Sequence, residues 1–132
     1  MKHSTKTYSC KNCGIENKVS HQSFNIYCSK KCNGEGQRKD TVERFNRGEV
    51  KDRDTLRRIL REAYGDKCES CNIPGVYNNA PITLQVDHKD GNAGNNMPLN
   101  LRLICPNCHS QTSTFGARNK GNGRKARGLP LK

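Results

Sequence analysis

The stretch PITLQVDHKDGNAGNNMPLNLRLICPNCH, residues 81–109, contains two short strands, a polar loop and a helix start in direct succession. Ile82, Leu84 and Val86 alternate with polar neighbours, the period of a strand with one buried face, and that strand ends on Asp87 and His88. A loop rich in Gly and Asn follows, in which Asp90, Asn92, Asn95 and Asn96 suit turns, with a part for one of them in binding metal or phosphate as the alternative. NLRLIC (100–105) is a second strand with Leu101 and Leu103 on one side, and Pro106 fits the first position of a helix. His109 then falls on the first helical turn, beside Cys108.

Two CxxC knuckles flank this stretch, CESC (68–71) and CPNC (105–108), with 33 residues between them. Four thiolates complete a tetrahedral zinc shell and leave no open position, so Cys68, Cys71, Cys105 and Cys108 are expected to hold a structural ion. The chain needs such a staple. With 132 residues, 31% hydrophobic content and no Trp, it buries only a small apolar core. The remaining four cysteines form a second set: CKNCG (10–14) and YCSKKC (27–32) place Cys10, Cys13, Cys28 and Cys32 at zinc-module spacing. Gly14 relieves the backbone after the knuckle, and Cys28 and Cys32 share one face of a helix start. The result resembles a treble clef, with a zinc ribbon fitting nearly as well. Both quartets are complete without His3 or His21, which are expected at the surface.

No signal-peptide run and no apolar segment of about 20 residues is present, so the expected compartment is a reducing cytoplasm without membrane association. There, close cysteine pairs read as metal ligands rather than disulfides. The formal charge is +12. Two four-thiolate zinc sites lower it by about 4 and leave a polycation suited to nucleic acid.

Residues 40–66 are expected to be a helical connector. Asp40 and Glu43 form a capping-box pattern, Val42 and Phe45 an apolar edge, and Gly48 a stop. A better helix follows, with Asp54 as cap, Leu56, Ile59, Leu60, Ala63 and Tyr64 at helical spacing, and Gly65 past its end. Arg57, Arg58 and Arg61 on its other face are read first as a solvated face and second as phosphate contacts. The last 16 residues hold six Lys/Arg, three Gly and no acid. Arg118, Lys120, Arg124, Lys125 and Arg127 there are candidate DNA-backbone contacts, with a purely solvating tail as the alternative.

VDHKDGNAGNN followed by NLRLICPNCHSQT, set between CxxC pairs, resembles the HNH endonuclease family over residues 68–119, and in compactness resembles phage-borne, homing-type members. Thr112, Thr114, Arg118 and Asn119 also follow its pattern. The resemblance implies an α+β protein whose core is a zinc-stabilised ββα-metal nuclease. With the readings above, the expected organisation is an N-terminal zinc module (1–39), a helical connector (40–66), the nuclease core (67–119) and a basic tail (120–132). It implies hydrolysis of double-stranded DNA to 5′-phosphate and 3′-hydroxyl ends, with no small-molecule cofactor. In that reading His88 is the general base, Asn100 orients its imidazole, and Asp87 and His109 bind one catalytic Mg²⁺ or Mn²⁺ beside the two structural Zn²⁺. The roles agree with elementary chemistry. A neutral His accepts a proton near pH 7, and a divalent ion neutralises charge building on the phosphate. The alternatives are a non-catalytic zinc-dependent nucleic-acid-binding protein that keeps the core as a scaffold, and an RNA-directed nuclease.

Overall fold

A computed structural model describes residues 5–20, 26–122 and 128–129, and divides the chain into two compact units, residues 1–43 and 44–132. Elements of both types are present, in the α+β order expected. No helix among the described residues is long and apolar enough to cross a membrane.

The first unit opens with a hairpin of β1 (Thr5–Ser9) and β2 (Glu16–Ser20). The knuckle of Cys10 and Cys13 sits at its tip, closed by the Gly14 amide on the Cys10 carbonyl at 2.8 Å, with Gly14 at φ +75°. The other cysteine pair lies at the start of α1 (Lys30–Asn46), where the Ser29 hydroxyl accepts the Cys32 amide at 3.1 Å, as an N-cap does. This is the helix-start arrangement rather than a second knuckle. Gly36 inside the helix has a packing reason: a Cβ there would run into the Tyr27 ring. Asp40 is therefore not a cap. It lies in the middle of one 17-residue helix, because the start signal belongs to Ser29.

In the second unit, Phe45 near the end of α1 is buried while Val42 is exposed, and Gly48 at φ +71° ends the helical path. Helix α2 (Arg53–Tyr64) is capped by Asp52, not Asp54: the Asp52 carboxylate accepts the Thr55 amide at 2.8 Å. Leu56, Ile59 and Leu60 are buried against β5 and β6, but Ala63 and Tyr64 are exposed, so only the earlier turns reach the core. Arg58 and Arg61 pair with Glu62 and Asp66, as a solvated face does, whereas Arg57 is half-buried: it pairs with Asp54 and its Nε donates to the Leu84 carbonyl at 3.0 Å.

The apolar run after residue 80 divides between two hairpins. β3 (Val76–Tyr77) and β4 (Ala80–Pro81) pair across Asn78 and Asn79, both at positive φ, the conformation of a type I′ turn. The chain then crosses to β5 (Gln85–His88), which pairs antiparallel with β6 (Leu101–Ile104), and α3 (Pro106–Gln111) follows with Pro106 in its first turn. The core comprises Phe45, Val50, Leu56, Ile59, Leu60, Leu84, Leu101, Leu103 and Ile104, joined by Cys68 and Cys105. Two of the clustered cysteines thus belong to the apolar core, so an ion held there would stabilise the same point as burial does.

Candidate active site

Each cysteine quartet converges as expected. Within each, the four sulfurs lie within 4.8 Å of one another, with Cys13 to Cys28 at 3.6 Å and Cys71 to Cys105 at 3.8 Å. A zinc bound at ~2.3 Å by four thiolates sets its sulfurs about 3.8 Å apart. The donor sets therefore fit zinc. Their electrostatics agree: burial pushes the Cys10 and Cys68 thiols up, but neighbouring amides outweigh it and hold both at about 6. Cys68 owes that depression to the amides of Cys105, Cys71 and Ser70. Cys28 and Cys108 are pushed up to about 12 by the sulfurs crowded around them. Four such groups shed their protons together only around a cation.

Between the knuckles, the β5–β6 ladder pairs Asp87 with Arg102 and His88 with Leu101. Asp87 is 3% exposed. Its Oδ2 accepts the Arg102 Nε–H at 2.7 Å, and its Oδ1 lies 3.6 Å from His109 Nε2, too far for a hydrogen bond. The other nitrogen of His109, Nδ1, donates to Gln85 Oε1, two residues before Asp87 on the same strand. With its proton on Nδ1, the ring presents the Nε2 lone pair toward the Asp87 carboxylate. Two acceptors facing each other without a proton between them are a fitting pair for a divalent cation. The Phe115 ring meets the His109 ring edge-on at 5.3 Å and limits its rotation.

His88 occupies the end of β5, and its Nε2 donates to Oδ1 of the buried Asn96 at 2.9 Å. That leaves Nδ1 with its lone pair. The expected partner, Asn100, is elsewhere: its Oδ1 accepts the Asp90 amide at 3.0 Å, and its Nδ2 donates to Asp90 Oδ1 at 2.9 Å and to the Asn95 carbonyl at 2.8 Å. Asn100 thus closes the loop between the two strands, because the turn after residue 88 brings the Asp90 and Asn95 backbone to it, while Asn96 takes the imidazole. Burial would raise the Asp90 carboxyl, but the Asn95 side chain, the Asn92 amide and the Asn100 side chain hold it below the usual carboxylate range.

The segment after α3 braces the same loop. Asn119 Nδ2 donates to the Gly91 carbonyl at 2.8 Å, and Asn122 Nδ2 to the Asp90 carbonyl at 3.3 Å. Gly91 is buried at φ +73°, and a Cβ there would collide with Asn119 Oδ1. Of the expected DNA contacts, Arg118 lies over the Phe115 ring at 5.8 Å and donates to the Ser110 carbonyl, and Lys120 is exposed. Arg124, Lys125 and Arg127, with His3 and His21, lie outside the described residues.

Sequence reasoning missed Gln85, Asn96 and Arg102. Two left a signal. Gln85 shares a strand face with Asp87, and Arg102 stands opposite Asp87 once the two strands are paired. Asn96 left none beyond its place in a turn-rich loop.

Residues 68–115 match the family of the HNH endonuclease. Over 55 residues the chain is 49% identical to the H-N-H endonuclease F-TflIV of Escherichia phage T5, a stretch covering 42% of this chain and 24% of that protein. The chain therefore spans less than two thirds of that relative's length. No solved structure matches the chain. Two converging cysteine pairs enclosing a ββα motif, and this sequence match over the same stretch, make residues 68–115 similar to an HNH endonuclease domain.

Proposed function

We propose that this chain is a metal-dependent DNA endonuclease that hydrolyses phosphodiester bonds in double-stranded DNA to leave 5′-phosphate and 3′-hydroxyl ends. The observation that carries the reading is the pairing of Asp87 Oδ1 with His109 Nε2 at 3.6 Å, one residue from His88. Asp87 and His109 would hold one divalent ion, Mg²⁺ or Mn²⁺ by the mixed nitrogen and oxygen donors. When bound, that ion supplies positive charge to the scissile phosphate and to the departing 3′-oxygen.

The chain's own side chains do the rest. Asn96 accepts the Nε2 proton of His88, so Nδ1 is the basic nitrogen and takes the proton from the attacking water. Gln85 keeps the His109 proton on Nδ1, and Arg102 fixes the Asp87 carboxylate by donating to its Oδ2. Asn100 and Asn119 fix the loop that follows His88. The formal charge of +12 supports a polyanionic substrate. The first unit, a closed zinc module, is assigned to gripping DNA beside the cut, with the basic residues from Arg118 onward tracking the phosphates.

The test is incubation of a defined plasmid with Mg²⁺ or Mn²⁺, followed by sequencing of the ends. Cleavage by the wild-type chain, reduced about 10²- to 10⁴-fold by His88→Ala, is the expected outcome. Binding without cutting, or cutting indifferent to His88→Ala, overturns the reading.

A further inference from the structure

Asp87 is the one charged residue that is buried among the described residues, and its two oxygens have different neighbours. Oδ2 is taken by Arg102 Nε at 2.7 Å, while Oδ1 faces His109 Nε2. Arg102 is not there by the chance reach of a long side chain. It is the direct cross-strand partner of Asp87 in the β5–β6 ladder, with its side chain 28% exposed.

A carboxylate can give a cation one oxygen or both. Mg²⁺ is small and octahedral, and takes carboxylates through single oxygens, whereas Ca²⁺ is larger, carries roughly 6–8 ligands and readily takes both oxygens of one carboxylate. We propose that Arg102 sets the ion selectivity of this site: by occupying Oδ2 it leaves Asp87 a single oxygen to give, which favours Mg²⁺ and Mn²⁺ over Ca²⁺. The proposal rests on the reading that Asp87 and His109 hold the divalent ion. Arg102 is a positioning residue, acting through Asp87.

The guanidinium also brings a positive charge, which weakens binding of every divalent cation alike. Occupancy and charge are separable. In Arg102→Gln the amide nitrogen stands the same number of bonds from the backbone as Arg Nε, so the donor remains and the charge is gone. Arg102→Met keeps the length and loses both.

The experiment uses the full zinc-loaded chain. Mn²⁺ binding is followed by the paramagnetic resonance of the free ion, and Mg²⁺ and Ca²⁺ are then titrated as competitors. For Arg102→Met the Ca²⁺ to Mg²⁺ affinity ratio is expected to rise about tenfold or more. For Arg102→Gln all three ions should bind more tightly, with the ratio as in the wild type. A ratio unchanged in Arg102→Met, or moved as far in Arg102→Gln, overturns the proposal. Should Arg102→Met fail to fold, judged by zinc content and circular dichroism, anomalous diffraction from wild-type crystals with Mn²⁺ decides. Coordination through Oδ1 alone supports the proposal, and coordination through both oxygens overturns it. Asp87→Asn separates the two levels, because Mn²⁺ binding that survives it unchanged removes the underlying assignment of the ion to Asp87, and the selectivity proposal with it.

Discussion

Among single residues, the proposed chemistry turns on which nitrogen of each histidine holds the proton. Asn96 settles this for His88 and Gln85 for His109, each through one amide oxygen. Gln85→Leu removes that acceptor while keeping the bulk, and frees the His109 ring to take the other tautomer. Mn²⁺ affinity is expected to fall about 10- to 100-fold, read by the resonance of the free ion, with the fold unchanged by circular dichroism. Gly91 makes a backbone prediction. Its φ of +73° and the close approach of Asn119 Oδ1 leave no room for a methyl group. Gly91→Ala should cost about 1–3 kcal/mol in denaturant unfolding of the zinc-loaded chain. A variant as stable as wild type would show that the loop yields instead.

Among the helices and strands, α2 ties the β5–β6 ribbon to the rest of the core through Leu56, Ile59 and Leu60. Leu60 is fully buried, so Leu60→Ala is expected to destabilise the chain by about 2–5 kcal/mol in the same unfolding measurement. The start of α2 has a pH dependence of known sign. Hydrogen bonds from the Thr55 hydroxyl and amide hold the Asp52 carboxyl below its ordinary value. A depressed folded-state pKa contributes stability above the unfolded-state pKa, and that contribution is lost as pH falls through the folded value. The thermal midpoint of Asp52→Asn should therefore lie below wild type near neutral pH and converge on it in acid, below the usual carboxylate range.

For the molecule as a whole, the two cysteine quartets substitute for apolar mass. Cys68 and Cys105 are members of the core cluster, so removing zinc both opens the knuckles and leaves buried thiolates without a cation. Stripping zinc with a strong chelator is expected to abolish cooperative unfolding of the second unit, whereas chelation weak enough to remove only Mg²⁺ should leave the circular dichroism intact and stop cleavage. Retention of the native spectrum after complete zinc loss would sink the structural assignment.

The two zinc quartets, the order of strand, loop, strand and helix, and the places of Asp87, His88 and His109 along it were all legible in the amino-acid order. Those are local facts: cysteine spacing, period-2 alternation and a Pro at a helix start act over a few residues. Gly48 and Gly65 at the ends of helices were legible for the same reason. Which amide meets which imidazole was not, because it depends on the folded loop. Asn96 and Asn100 lie in one Asn-rich stretch with the same chemistry, and the turn geometry gives His88 to one and Asp90 to the other. Helix starts were settled the same way, since Ser29 and Asp52 cap where their amides are free, while Asp40 and Asp54 carry equally good capping chemistry. The pairing of Arg102 with Asp87 depends on strand register, a long-range property set by the buried face of β6 and by the loop that Asn100 closes.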